Sequence, residues 1–205
     1  MAVISNGTTL MDAGAISIAV GSMTLIKTLT ASDSGTLSFV DGASGVILDN
    51  TYKTYIFKFH EIHPSSNDAE FTVNFRDGGT AYDAPKTTTA FRSYHFEGDD
   101  SGLGYQQSND LAQSNAIQKI GQLQSANDND SCGGGEMKLY NPSNTTYVKH
   151  FQSRYSHHYT NSAPGQIDNF ISGYANVTAA VDGVQFKFDS GNISTGQIKL
   201  YGIGE

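Results

Sequence analysis

Val184-Gln185-Phe186-Lys187-Phe188 and Gln197-Ile198-Lys199-Leu200-Tyr201-Gly202 decide the fold class of this chain. Each run alternates strictly between apolar and polar residues, and Asp189-Ser190-Gly191-Asn192 follows the first of them. Successive side chains of a strand point to opposite faces, so a period of two buries one face and wets the other. That is the pattern of an antiparallel sheet packed on a single side. The Gly-, Ser- and Asn-rich stretch between the runs predicts a closing β-hairpin, with Phe186, Phe188, Ile198 and Leu200 in the core.

Working outward, the same signal recurs. Met23 to Leu29, Thr36 to Val40, the short Val46-Ile47-Leu48, and Tyr55 to Ile62 read as strands, the last with Tyr55, Phe57 and Phe59 on one face. Phe71, Val73 and Phe75 alternate with Thr72, Asn74 and Arg76, and Phe91 to Phe96 is rich in aromatics. Glu136 to Tyr140, Tyr147 to Ser156 and Ser172 to Val177 precede the closing pair. Short strands at roughly ten-residue spacing, with turn residues between them, predict an all-β antiparallel sandwich or barrel of about nine to eleven strands. In the run from Tyr147, residues Tyr147, Lys149, Phe151, Ser153 and Tyr155 share one face, and Val148, His150, Gln152 and Arg154 the other. Polar and apolar side chains on both faces predict an edge strand or a surface against another chain.

Two regions depart from this pattern. Residues 1–20 are small, weakly apolar and carry only Asp12 as an ionisable side chain, so they read as an extended arm or a frayed first strand ahead of one domain over 21–205. Residues 97–135 form a polar, Gln- and Asn-rich excursion. Its Leu111, Ile117, Ile120 and Leu123 either line a weak amphipathic helix or pin a long loop. Loops of that length in compact domains are usually functional, so this is the expected partner-facing surface.

Composition bounds the function. At 205 residues the chain fits one domain and buries enough surface to need neither disulfide nor metal. Net charge is −8 and the basic residues are scattered singly, which argues against nucleic-acid binding. No apolar run approaches the ~20 residues of a membrane span, and no cationic and apolar leader opens the chain, so neither a membrane anchor nor a secretory signal is expected. The absence of Trp weakens a carbohydrate-binding reading, although eleven Tyr residues leave it open.

The candidate chemical motifs fail on spacing. His60-Glu61-Ile62-His63 places its histidines three apart in a strand pattern, whereas a helical zinc motif needs them four apart on one face. His157 and His158 diverge as strand neighbours. Asp99-Asp100 and Asp128-Asn129-Asp130 are oxygen-rich but lack the loop spacing of a calcium-binding hand, and read as solvated turns. Cys132 has no Lys, Arg or His beside it to activate a thiolate. Asn6, Asn144, Asn176 and Asn192 sit in glycosylation sequons that match by composition. Neither a nucleophile elbow nor a phosphate loop is present. No catalytic, cofactor-binding or metal-ligating residue is therefore singled out, and an enzyme is not expected.

The opening Met1-Ala2-Val3-Ile4-Ser5-Asn6-Gly7-Thr8-Thr9-Leu10-Met11-Asp12-Ala13-Gly14-Ala15 and the ending Ser190-Gly191-Asn192-Ile193-Ser194-Thr195-Gly196 through Gly202 resemble virion structural proteins of tailed phages from marine and cyanobacterial hosts. Thr51 to Phe59 with His63-Pro64, and Phe71 to Phe75, are similar to that family's central strands. The resemblance implies a jelly-roll-like sandwich on the surface of a phage particle, without catalytic residues. It implies contacts with other virion proteins, the major capsid protein first among them, in a capsid decoration or cement role. A tail-fibre, baseplate or receptor-binding role toward host surface glycans is the alternative, and such proteins are very often trimers.

Overall fold

The computed structural model describes residues 23–204 apart from 123, 128 and 160–163, together with the backbone of three short strands before them. Those three, β1 (Val3–Ser5), β2 (Thr8–Asp12) and β3 (Ala15–Ile16), pair antiparallel in that order. The arm expected over residues 1–20 otherwise lies outside the described residues.

From residue 23 onward the strands are β4 (Met23–Thr30), β5 (Leu37–Val40), β6 (Thr54–Pro64), β7 (Phe71–Arg76), β8 (Lys86–Phe96) and β9 (Ser101–Tyr105). They continue as β10 (Gln118–Lys119), β11 (Gly133–Tyr140), β12 (Lys149–Tyr159), β13 (Gly165–Ala175), β14 (Gly183–Phe188) and β15 (Ile193–Ile203). No helix occurs among the described residues, so none is long and apolar enough to cross a membrane. Eight strands form one sheet in the order β4-β15-β6-β11-β12-β13-β8-β9, and four form the other as β10-β7-β14-β5. Every pairing is antiparallel. The fold is the antiparallel β-sandwich that the alternation predicts, with unequal sheets.

Alternation places the core between the sheets. Tyr55, Phe57 and Phe59 of β6, Met137 and Leu139 of β11, Phe151 and Tyr155 of β12, and Ile198 and Leu200 of β15 point inward from the large sheet. They meet Leu37 and Phe39 of β5, Phe71, Val73 and Phe75 of β7, and Val184, Phe186 and Phe188 of β14. Edge-to-face contacts dominate, with Phe59 ring centroids 5.4 Å from Phe71 and 5.2 Å from Phe186. Such geometry sets the positive ring edge against the negative face.

The predicted closing hairpin is not a hairpin. β14 belongs to the small sheet and β15 to the large one, so residues 189–192 arch across the sandwich. Alternation reports which face a residue occupies, and it is the same for two strands side by side or across a core. All four residues assigned to the core are nevertheless buried. The arch is fixed by neighbouring loops: Asn192 donates its N–H to Ser65 Oγ (2.7 Å) and its amide to the Asp33 carbonyl (3.2 Å). Gly191 holds φ +67°, a left-handed conformation that glycine adopts without steric cost.

Two further expectations change. Val46-Ile47-Leu48 is a loop, although Val46 and Leu48 are buried under the sandwich. β12 is an interior strand, flanked by β11 and β13 along its length, not an edge. Two of its inward polar residues are satisfied within the core: Lys149 Nζ donates to the carbonyls of Tyr147, Val177 and Thr178 (2.9, 3.1 and 3.1 Å), and Ser153 Oγ to that of Glu136. A buried ammonium with three acceptors avoids most of the penalty that makes buried charge rare.

The 97–135 excursion is pinned rather than helical. It opens with β9 on the edge of the large sheet, crosses to the small sheet as β10, and then pairs Gln124 with Ala69. Ile120 is buried, while Leu123 lies outside the described residues. Gln118 bonds Thr88, Gln122 bonds Arg92, and Gln124 accepts from the buried Tyr155 hydroxyl. Asn67 Oδ1 accepts the N–H groups of Ala126 and Asn127 (2.9 and 3.0 Å) and the Ser125 hydroxyl. Asn67→Ala is expected to lower unfolding free energy by about 1–2 kcal/mol, the scale of a lost capping side chain. Limited proteolysis should then cut the excursion faster; an unchanged cleavage rate would show that Asn67 does not anchor it.

Candidate functional site

The outer face of the large sheet aligns several aromatic and cationic side chains in a register row. Strand pairing lines up Tyr105 (β9), Phe91 (β8), Phe170 (β13), Arg154 (β12), Glu136 (β11), Lys58 (β6) and Lys199 (β15) as successive cross-strand neighbours. Directly opposed residues are the interacting unit of a sheet, and the Phe91–Phe170, Phe170–Arg154 and Glu136–Lys58 pairs interact here. Phe91 and Phe170 stack with centroids 4.8 Å apart and planes 5° from parallel. The Arg154 guanidinium lies 5.1 Å over the Phe170 ring, a cation–π contact. Arg154 also binds Asp168 through Nε and an Nη group, both donating to Oδ2 at 2.9 and 2.7 Å.

Glu136 sits between two lysines, Lys58 at 2.9 Å and Lys138 at 3.2 Å. The hydrogen bond from Lys58, assisted by Lys138, holds its carboxyl below the usual glutamate value. Two cations thus share one anion, which leaves positive charge on the face of a chain whose net charge is −8. Beside this row runs a second one of Ser172, Gln152 and Lys138. Between the two rows lies a groove of about 380 Å³ lined by Phe91, Phe170, Arg154 and Glu136 with Lys138, Gln152 and Ser172. The groove offers ring edges, two amine and guanidine donors, an amide and a hydroxyl, which suits non-covalent recognition.

The residues considered for metal chemistry fall elsewhere. A bulge at Glu61, with φ +54°, breaks the alternation of β6, so the inward positions pass from Phe59 to Ile62. His60 is exposed, and His63, half-buried, contacts the Ser131 carbonyl through Nδ1. His157 points into the core and His158 away from it. Asp99 and Asp100 form the turn between β8 and β9, where Asp99 Oδ1 lies 3.2 Å from His95. Asp128 lies outside the described residues, and Asn129 and Asp130 are exposed in the loop before β11. Among the described residues, no group of three or more His, Cys, Asp or Glu is gathered where it could hold a metal ion.

Cys132 is half-buried, and burial, with Glu61 and Asp130 adding to it, raises its thiol above the ordinary value. That environment opposes thiolate formation. Of the sequon residues, Asn144 caps the N–H groups of Thr146 and Tyr147 at 2.7 Å each. Asn176 and Asn192 donate their side-chain amides to Gln113 and Asp33, and Asn6 lies outside the described residues.

The sequence alternation groups Arg154 with Val148, His150 and Gln152 on one face but does not single out Phe170 or join it to Phe91. The missing signal is strand order, since only pairing of β8 with β13 and β13 with β12 makes these three neighbours. Compared with protein-family models, curated proteins and solved structures, the chain matches none.

Proposed function

We propose that this chain is a structural protein of a phage virion, acting through contacts with other proteins, with decoration of the capsid favoured over the tail. The observation that carries the contact role is the outer sheet face, where Phe91, Leu103, Tyr105, Met23 and Leu25 are exposed toward its two edges. Isolated exposed apolar residues are ordinary, but their concentration on one face marks an interaction surface. The virion context rests on the resemblance of the terminal and central stretches. A reconstruction of the particle, or immunogold labelling, tests it: density over the capsid lattice is expected, and density confined to the tail tip overturns the head assignment.

The groove beside the Phe91–Phe170 stack favours a second reading, adhesion to host surface glycans. Aromatic ring edges next to amide, hydroxyl and cationic donors offer apolar contact and hydrogen bonds to a sugar with a polar rim. A glycan array on the purified chain tests this reading, and uniform background across the array removes it.

A further inference from the structure

The edge of the large sheet at β9 is bare. Sheet edges normally carry a lysine, a proline or a bulge that discourages pairing with another chain. Ser101-Gly102-Leu103-Gly104-Tyr105 has none of these, and its register against β8 is unbroken. The bonds Gln106 N–H to Ala90 O (2.8 Å) and Phe96 N–H to Asp100 O (2.8 Å) set the parity of the ladder. Residues 102 and 104 therefore bond to β8, and the N–H and C=O groups of Ser101, Leu103 and Tyr105 face the open side. No further strand lies beyond β9 among the described residues.

The side chains match that backbone. Leu103 is 74% exposed, Tyr105 53% and the neighbouring Phe91 42%, all on the outer face at this one corner. Charge then discriminates among occupants. Glu97, Asp99 and Asp100 precede β9 and Asp110 follows it, with His95 as the group paired to Asp99. A second copy of this chain, paired antiparallel about Leu103, would set Asp100 opposite Gln106 and Glu97 beside Asn109 and Asp110. Acidic residues would gather at both ends of that pairing with no Lys or Arg between them, which disfavours it.

We propose that β9 accepts an extended segment of a different protein as an added strand, one with apolar residues at alternate positions and basic residues at its ends. The inference rests on the protein-contact role above and names its partner chemistry. Main-chain bonds to Ser101, Leu103 and Tyr105 supply affinity, and alternate side chains reach Leu103, Tyr105 and Phe91. The acidic flanks select basic ends and speed encounter.

The purified chain and a synthetic peptide, Lys-Thr-Val-Thr-Ile-Thr-Val-Lys, provide the test. Saturable binding is expected, at least about tenfold weaker when both lysines are replaced by glutamate, and weaker as salt rises. Hydrogen exchange should slow at the amides of Leu103 and Tyr105 on binding. Leu103→Pro removes an edge-facing donor without touching the ladder to β8, and is expected to abolish binding, while Leu103→Thr retains the donor and weak binding. Should Leu103→Pro fail to fold, the exchange pattern of the native chain decides. No saturable binding, equal affinity for the acidic-ended peptide, or protection elsewhere overturns the proposal, as does a stable dimer that Leu103→Pro dissociates. Since the measurement uses the isolated chain, a tail location on the particle would leave it intact, and its failure would leave the virion role standing.

Discussion

Phe71→Ala is expected to cost about 3–5 kcal/mol of stability, the range for removing a buried phenylalanine from a packed core. Phe71 is fully buried on β7, in the small sheet. Its ring meets Phe59 and Tyr155 of the large sheet at 5.4 and 5.3 Å, and Phe186 and Phe188 of its own sheet at 6.0 and 5.4 Å. Deleting it opens a void at a ring that touches both layers. Its carbonyl also accepts the N–H groups of Ile120 and Gly121, which ties the excursion to the core. Against a typical total of about 5–15 kcal/mol, this loss leaves a marginal fold. Phe91→Ala, on the outer face, should cost only about 1 kcal/mol through its lost stacking on Phe170. Urea unfolding followed by circular dichroism compares the two variants; similar losses would mean that the core does not sit between the sheets.

Acid is expected to destabilise the fold between pH 6.5 and 4. His157 is buried on the inward face of β12, packed against the Tyr155 ring at 5.8 Å. Its Nε2 has no hydrogen-bond partner, and the Asn169 amide donates to Nδ1 at 3.5 Å. Burial depresses its pKa to about 4, with Arg92 and His158 adding to the depression and the Gln122 backbone opposing it. The folded value lies below the unfolded one, so the unfolded chain takes up the proton first as pH falls. Stability is therefore full above pH 6.5, declines toward pH 4 and loses nothing further from this group below that. The shift corresponds to about 3 kcal/mol. Glu70 acts in the opposite sense, since burial raises its carboxyl, and moderates the decline at the acid end. His157→Phe retains a ring against Tyr155 and should flatten the profile in this window. A wild-type profile already flat there would refute the assignment.

These two residues show how unevenly the structure was legible. Phe71 could be placed in the core from its spacing with Val73 and Phe75 alone, because a strand's period makes the buried face visible in one dimension. His157 could not, because a polar residue on a buried face looks like one on a wet face until its surroundings are known. Lys149 and Ser153 misled in the same way, and turned an interior strand into an expected edge. The first half of β8, Lys86 to Ala90, reads as polar. Yet Lys86 is fully buried, donating to the Asn74 side chain and to the Ala84 carbonyl.

The candidate binding face was legible only in fragments. The alternation grouped Arg154 with His150 and Gln152 on one face of its strand, while Phe91 was simply one aromatic in a run. Their junction through Phe170 is a property of three strands far apart in the chain. The open edge at β9 lay within a stretch recognised as unusual, but Ser101 to Tyr105 carries too weak an alternation to announce a strand.

From the sequence alone follow the all-β class, the location of most strands, and the inward set of Tyr55, Phe57, Phe59, Phe71, Val73, Phe75, Phe186, Phe188, Ile198 and Leu200. Local periodicity suffices for these, since burial of a face is decided by neighbours two residues away. The tertiary structure decided which strands pair, which turned the closing pair from a hairpin into an arch between sheets. It also decided which polar residues are buried, and that the aromatic and charged row crosses the large sheet to end at an open strand. Pairing partners and hydrogen-bond partners are long-range choices, and a one-dimensional period carries no information about them.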